Sequence, residues 1–406
     1  MAQPDVIITK GRGGLGRQRP TEDGVSGLVT QGVGTTDLPL NTSVEIRSLR
    51  QLQDLGIDAV YDTANSAELF YHVSEFFRQS PAGVLWLRVV SRTVSMADMA
   101  DHANSHAKQL LLDAGGAIKQ LGICLDSAAG YTATTLDGLN ADVVAAIPKA
   151  AELVDEEFKQ HRPVFVLLGG HGLATSLAGL LNLRNMTGGE AEGVSVVIGS
   201  DHTPGTGRPA VPAVGTLLGD LSVAQVHENI GWLDKFNLAS DGKFLAAGLC
   251  NGQKITALAD GDITALNDKG YVFAVKHTGF DGFYWNDSHT CAKVDSDYAY
   301  IENVRTINKA ARVIRQALLP GLKGPLLLTP EGQLQPQLVG ELEAKGKTAL
   351  QANLTRAGEI SAEDVYVNPD QDVLATSTVE INFSIVPVGT ARQIKGTVGF
   401  TKSIQA

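Results

Sequence analysis

Cysteine is scarce. Cys124, Cys250 and Cys291 are the only three in 406 residues, forming no CxxC pair and no disulfide framework. A reducing compartment, or one without structural disulfides, is expected, and the three read as small core residues rather than nucleophiles. The first residues, Met1 to Asp5, have no basic stretch leading into an apolar run, so a secretory signal is not expected. Basic residues are in the minority, 33 against 44 acidic, for a net charge of −11. That balance argues against nucleic acid as a partner, because counterion release needs a basic footprint. Long apolar runs are also missing. Residues 163–183 contain no Asp, Glu, Lys or Arg, but Gly169-Gly170-His171-Gly172 interrupts them. The segment therefore reads as a strand over 164–168, a turn and a helix over 173–183 rather than a stable membrane insertion. No repeat of about 20 to 50 residues recurs, which excludes a solenoid or propeller.

What is present is enough apolar residue, 43%, to bury a sizeable core in roughly two to three compact units. The charge is unevenly placed. Residues 1–20 carry Lys10, Arg12, Arg17 and Arg19 against Asp5, and residues 389–406 carry Arg392, Lys395 and Lys402 with no acid. Each end is therefore about +3, leaving about −17 on the body between them. Both ends are also β-prone. Val6, Ile7 and Ile8 precede a glycine-rich stretch, Val379, Ile381, Phe383 and Ile385 alternate with polar residues, and a second run covers 394–400. Such ends suit arms that add strands to something acidic, including another copy of the chain; frayed tails are the plainer alternative.

Between the ends, short apolar strands at 25–30, 83–90, 121–125, 164–168 and 194–198 alternate with helical stretches at 48–56, 65–79, 96–119, 141–160 and 173–183. That rhythm predicts an α/β domain with a largely parallel sheet over residues 23–250. A Gly- and Pro-rich loop at 200–213 precedes a predicted helix over 223–236. Residues 251–388 change character: mixed strands at 271–284, helices at 300–319 and 334–357, then the alternating strand, an α+β pattern. The expected organisation is an N-terminal arm (1–22), an α/β domain (23–250), an α+β domain (251–388) and a C-terminal arm (389–406).

Motifs for chemistry are weak. Residues 11–16 match GxGxxG, but Pro20 and the polar run after it cannot supply the helix whose N-terminus a pyrophosphate needs. The turn at Gly169-Gly170-His171-Gly172 lies between strand and helix but lacks the Lys-Ser/Thr ending of a P-loop. With residues 200–207 it is the place for a ligand crevice if the chain is a two-domain enzyme. His102 and His106, four apart, could share a helix face, but HExxH is absent. Ser200, Asp201 and His202 are adjacent, which says nothing about convergence in space, and there is no GxSxG elbow. No catalytic, cofactor or metal residues are assigned. The clearest signal is on the helix at 300–319. Ile301, Val304, Ile307, Ala311, Ile314 and Leu318 make an apolar stripe, and Arg305, Lys309, Arg312 and Arg315 a basic one. The basic stripe is either a solvated face or a docking surface for an acidic partner.

Three segments resemble the tail sheath proteins of contractile phage tails and related injection systems. The first is 48–92, a short helix ending in Leu55-Gly56, a longer one (ELFYHVSEFFRQS) and a strand (GVLWLRVVSR). The second is 282–305, an aromatic turn, a Tyr-Ile pair and the basic helix. The third is 379–400, a closing strand, Pro387-Val388 and an arm. The commoner pattern has Gly-Ala-Arg-Thr after the tryptophan; Asn286-Asp287-Ser288-His289-Thr290 stands there instead, marking a divergent branch. The resemblance implies a non-enzymatic structural protein without cofactors. It implies stacking in helical rings around an inner tail tube protein, between a baseplate and a tail terminator, in a virion tail or injection particle assembled in the bacterial host cytoplasm. It further implies contraction from a metastable extended lattice, driving the tube through a cell envelope. Interlocking arms are then expected at Val6, Ile7, Ile8, Arg12, Arg17, Arg392, Ile394, Lys395, Val398 and Phe400. Tube or neighbour contact is expected at Arg305, Lys309, Arg312 and Arg315, with the second domain facing the tube.

Overall fold

A computed structural model of the chain describes residues 22–126, 131–186 and 191–401. Seven strands form one sheet: β1 (Ser26–Gly32), β2 (Ser43–Ile46), β3 (Leu85–Ser91), β4 (Gln120–Cys124), β5 (Phe165–Gly169), β6 (Val194–Val197) and β7 (Tyr271–Val272). Their order is β7-β6-β5-β4-β1-β3-β2, parallel throughout except for β2 against β3. Every residue of β1, β4, β5 and β6 is buried, so both faces of the sheet are covered, as near-continuous Val/Leu/Ile runs require. The expected α/β architecture is present, with five strands close to their predicted positions.

Leaving aside the single turn Val373–Thr376, the α-helices among the described residues are α1 (Leu49–Asp54), α2 (Ala59–Asn65), α3 (Leu69–Gln79), α4 (Met96–Ala100), α5 (Ala107–Asp113), α6 (Ala141–Lys159), α7 (Val214–Val223), α8 (Asp260–Asp268), α9 (Ile301–Leu318) and α10 (Pro336–Leu350). α3 buries Leu69, Val73, Phe76 and Phe77, its predicted apolar face. Its first amides are held by carboxylates from elsewhere. Asp62 accepts from the N–H groups of Phe70 and Tyr71 at 3.0 and 2.9 Å, and Asp126 accepts from that of Glu68 at 3.0 Å. α7 lies so close to α3 that a Cβ on Gly215 would stand 2.1 Å from the His72 carbonyl oxygen.

Several predicted helices differ. The stretch 96–119 is two helices, because the Asp101 carboxylate accepts from the Ala103 N–H and turns the chain. Residues 173–183 are not helical. Their amides are taken by distant groups, Ala174 by the Gly138 carbonyl and Leu181 by that of Asp137, rather than by the residue four before. The helix predicted over 223–236 stands earlier, as α7, and α2 was not anticipated.

The chain divides into two compact units within α9, between Asn308 and Lys309. The boundary expected at 250/251 thus falls inside the first unit, whose core takes in Leu266, Phe273, Trp285 and Ile301. In the second unit α10 continues into a single π turn, Gln351–Thr355, and two strands pair antiparallel, β8 (Ile360–Tyr366) and β9 (Asn382–Pro387). Its small core is Ala310, Leu350, Leu354, Ile360 and Val365, with Phe383 and Ile385 of β9 packed on it.

Candidate functional site

The second unit presents strand edges. Among the described residues β8 and β9 pair only with each other, Val365 opposite Phe383 and Tyr366 opposite Asn382. The alternation predicted for β9 holds, since Phe383 and Ile385 turn toward the small core while Asn382 and Ser384 face outward. After Pro387 the chain makes no strand among the described residues, and Ile394, Val398 and Phe400 are 91%, 99% and fully exposed. Arg392 and Lys395 lie on the same segment. The N-terminal candidates Val6, Ile7, Ile8, Arg12 and Arg17, and the glycine motif at 11–16, lie outside the described residues.

The basic stripe of α9 is not one surface. Arg305 is buried, and its guanidinium donates to the carbonyls of Leu221 (2.8 Å), Ala224 (3.1 Å), Gln225 (3.2 Å) and Asp23 (3.4 Å). The first two belong to the C-terminal end of α7, where carbonyls lack helical partners and a cation is favoured. Arg305 is therefore a correction: it caps a helix inside the first unit and offers no charge outward. Lys309 pairs with Glu359 at 2.7 Å, while Arg312 is half-buried and Arg315 exposed. A helix pattern shows which residues share a face, not which turns a core will cover.

The arrangements considered for chemistry are explained by packing. Ser200 Oγ lies 3.0 Å from His202 Nε2, but both are buried, and Asp201 bonds Thr203 instead of orienting the imidazole. Burial holds His202 below the usual histidine range, and His171 in the glycine turn down to about 3, so both imidazoles stay neutral. His102 joins Asp101 and Glu152 rather than His106. Lys149 Nζ sits 3.2 and 3.1 Å from those two carboxylates, supplying the cation that the cluster would otherwise attract. The cysteines are buried, with the thiols of Cys250 and Cys291 pushed up to about 12. A cavity of roughly 520 Å³ beside α8 mixes apolar Leu258 and Ile263 with Asp260, Lys276 and the carboxamides of Asn267 and Asn286 in its lining.

What sequence reasoning left open is the 286–290 segment, which forms a polar network, buried from Asp287 to Thr290 and half-buried at Asn286. The Asn286 carboxamide bonds Asn267, Tyr271 and Phe273. His289 Nε2 donates to Asn267 Oδ1 at 2.8 Å, and its Nδ1 accepts from Arg184. Asn229 donates to Asp287 and Glu302 at 2.6 and 3.2 Å, and Glu302 also bonds Ser288. These side chains fix the chain path entering α9, which supports a structural role. The signal in sequence was five consecutive polar residues beside an aromatic turn, unusual for a core but without indication of partners.

This fold, a seven-stranded mainly parallel sheet followed by a small helix-and-hairpin unit, is that of contractile sheath proteins, as the resemblance implied. Over 99% of this chain and 100% of the other it is similar to the anti-feeding prophage helical sheath in its contracted state, at a TM-score of 0.61 and 16% identity. It is similar to the sheath of an extracellular contractile injection system, PVC, in its contracted state, over 100% and 98% of the chains, at 0.59 and 13%. A sheath tail protein from Listeria innocua matches over 90% and 92%, at 0.54 and 11%. No curated protein matches. The chain belongs to the DUF2586 family, with the N-terminal domain matched over residues 3–289 and the C-terminal domain over 297–405.

Proposed function

We propose that the chain polymerises into the helical sheath of a contractile tail or injection particle, and that its termini are the links between copies. The observation that carries this is in the second unit. A two-stranded sheet that no further strand joins among the described residues is followed by a basic segment whose Ile394, Val398 and Phe400 stand in water. Two strands alone are a marginal sheet, and three apolar side chains exposed in a row gain about 1.5 to 3 kcal/mol each on burial, so both features favour addition of a strand from a neighbour. Residues 1–20, equally basic and β-prone, serve as the second link. Links made of main-chain hydrogen bonds tolerate sliding of the folded units. Contacts that repeat head to tail without closing generate a tube.

Contraction is then a switch between two lattices whose contact energies differ, with no hydrolysed cofactor. The inner tail tube protein, the baseplate and the tail terminator are the further partners. The second unit faces the tube, with Arg312 and Arg315, toward the end of α9, as the candidates for tube or neighbour contact. Assembly takes place in the bacterial host cytoplasm, without nucleic acid and without stable membrane insertion. Negative-stain microscopy of purified protein tests the reading: long striated tubes are expected, and a chain lacking 389–406 should remain a soluble folded monomer. Discrete particles from the intact chain, or normal tubes from the truncated one, would overturn it.

A further inference from the structure

Strand addition at the hairpin raises a question about the larger sheet, whose last strand on one side is β7. An edge strand presents main-chain groups at alternate residues, and unless they are occupied another chain can pair with them. In β7 the Val272 carbonyl points inward, accepting from the Ile198 N–H at 2.9 Å. The outward groups are those of Tyr271 and Phe273, and one residue takes three of them. The Phe273 N–H donates to Asn286 Oδ1 at 2.8 Å, the Asn286 N–H donates to the Phe273 carbonyl at 2.9 Å, and Asn286 Nδ2 donates to the Tyr271 carbonyl at 3.0 Å. The side-chain amide thus substitutes for the peptide group that an added strand would bring. Asn267 Oδ1 fixes its orientation, accepting from Asn286 Nδ2 at 3.0 Å and from His289 Nε2 at 2.8 Å, while Arg184 donates to the same ring's Nδ1 and so sets the tautomer.

We infer that Asn286 is an edge stop, closing the β7 edge of the seven-stranded sheet to strand addition and so turning the arms of other copies away from that edge. This rests on the proposed sheath function only for the direction it gives the arms. The closure of the edge stands on two hydrogen bonds of the Asn286 side chain and one of its main chain, which extends the antiparallel pairing of Ala274 and Val275 with Trp285 and Tyr284. It also gives the 286–290 segment a role: Asn286 occupies the edge and Asn267 and His289 hold it there. Asparagine suits the task because its carboxamide carries donor and acceptor one methylene from the backbone. Aspartate would lose the donor, and glutamine would carry the amide past Tyr271 and Phe273.

The test is hydrogen exchange read by mass spectrometry on the full chain, over residues 270–275, beside light scattering and microscopy. In the wild-type chain the Phe273 amide is expected to exchange as slowly as the interior of β5; fast exchange there would overturn the edge stop without any variant. Asn286→Ala should speed exchange at 273 by about tenfold or more and yield irregular side-to-side aggregates. Asn286→Asp, which keeps the acceptor, should be intermediate in exchange at 273 and serves if the alanine variant does not fold. A folded Asn286→Ala chain with wild-type exchange and wild-type assembly would refute the proposal. Absence of tubes from the wild-type chain would sink the sheath reading, while exchange at 273 would still decide the edge stop.

Discussion

Arg305 and Asp220 show how single residues act in this core. Arg305 reaches from α9 to the end of α7, and its guanidinium donates to four carbonyls. Arg305→Met keeps most of the volume and removes the donors. It should destabilise the first unit by about 2 to 4 kcal/mol, seen as an earlier first transition in urea, whereas Arg315→Met should change little. Asp220 accepts from Trp285 Nε1 at 2.7 Å, and burial raises its carboxyl to about 7, with Arg78 opposing and Glu75 adding to the shift. The unfolded chain loses that proton near 3.8, the folded chain near 7, so between those values the folded state binds more protons and stability falls as pH rises. Asp220→Asn mimics the protonated form. It should match the wild type near pH 4, exceed it above pH 7, and flatten the slope by at most about 1.4 kcal/mol per pH unit. Urea titrations at three pH values measure this; an equal slope in both chains would mean that the carboxylate is accommodated without cost.

At the scale of elements, helix packing explains both what sequence patterns revealed and what they hid. The strands were legible because a parallel sheet covered on both faces demands unbroken apolar runs, and 83–90 or 164–168 can be little else. α7 was not. Its sequence, VGTLLGDLSV, puts Thr216, Asp220 and Ser222 among the apolar residues of a helix buried on nearly every side, and holds two glycines that look like helix breakers. Their function appears only in three dimensions: Cβ atoms on Gly215 and Gly219 would lie 2.1 Å from the His72 and 2.7 Å from the Phe76 carbonyl oxygens of α3. Backbone oxygens cannot step aside, so Gly215→Ala should cost at least about 1 to 3 kcal/mol by overpacking. Gly340, in α10, is the control, because a Cβ there meets nothing within 4 Å; Gly340→Ala should stabilise the second unit by about 0.5 to 1 kcal/mol. Thermal unfolding of the two variants should therefore shift in opposite directions. The basic stripe was misread for a related reason: its spacing was correct, but the core covers one turn of α9 at Arg305 and leaves Arg315 outside.

For the whole molecule, the net charge of −11 conceals two basic ends on an acidic body, and two forces could hold an arm to a neighbour. Attraction between the +3 ends and the body is screened over about 8 Å at physiological salt, so an assembly held by charge should dissolve as salt rises. Main-chain pairing and burial of Ile394, Val398 and Phe400 are insensitive to salt or strengthened by it. For the proposed links, the exposure of those three side chains favours the second force as the source of affinity, with the cations guiding approach and register. Replacing Ile394, Val398 and Phe400 by serine should then abolish tubes at every ionic strength. Arg392→Gln with Lys395→Gln should slow assembly at low salt and leave the final amount of tube unchanged at high salt. Pelleting and light scattering across a salt series separate the two. Tubes that survive the triple serine change but vanish with the double glutamine change would reverse the assignment and make charge, not strand addition, the bond between copies.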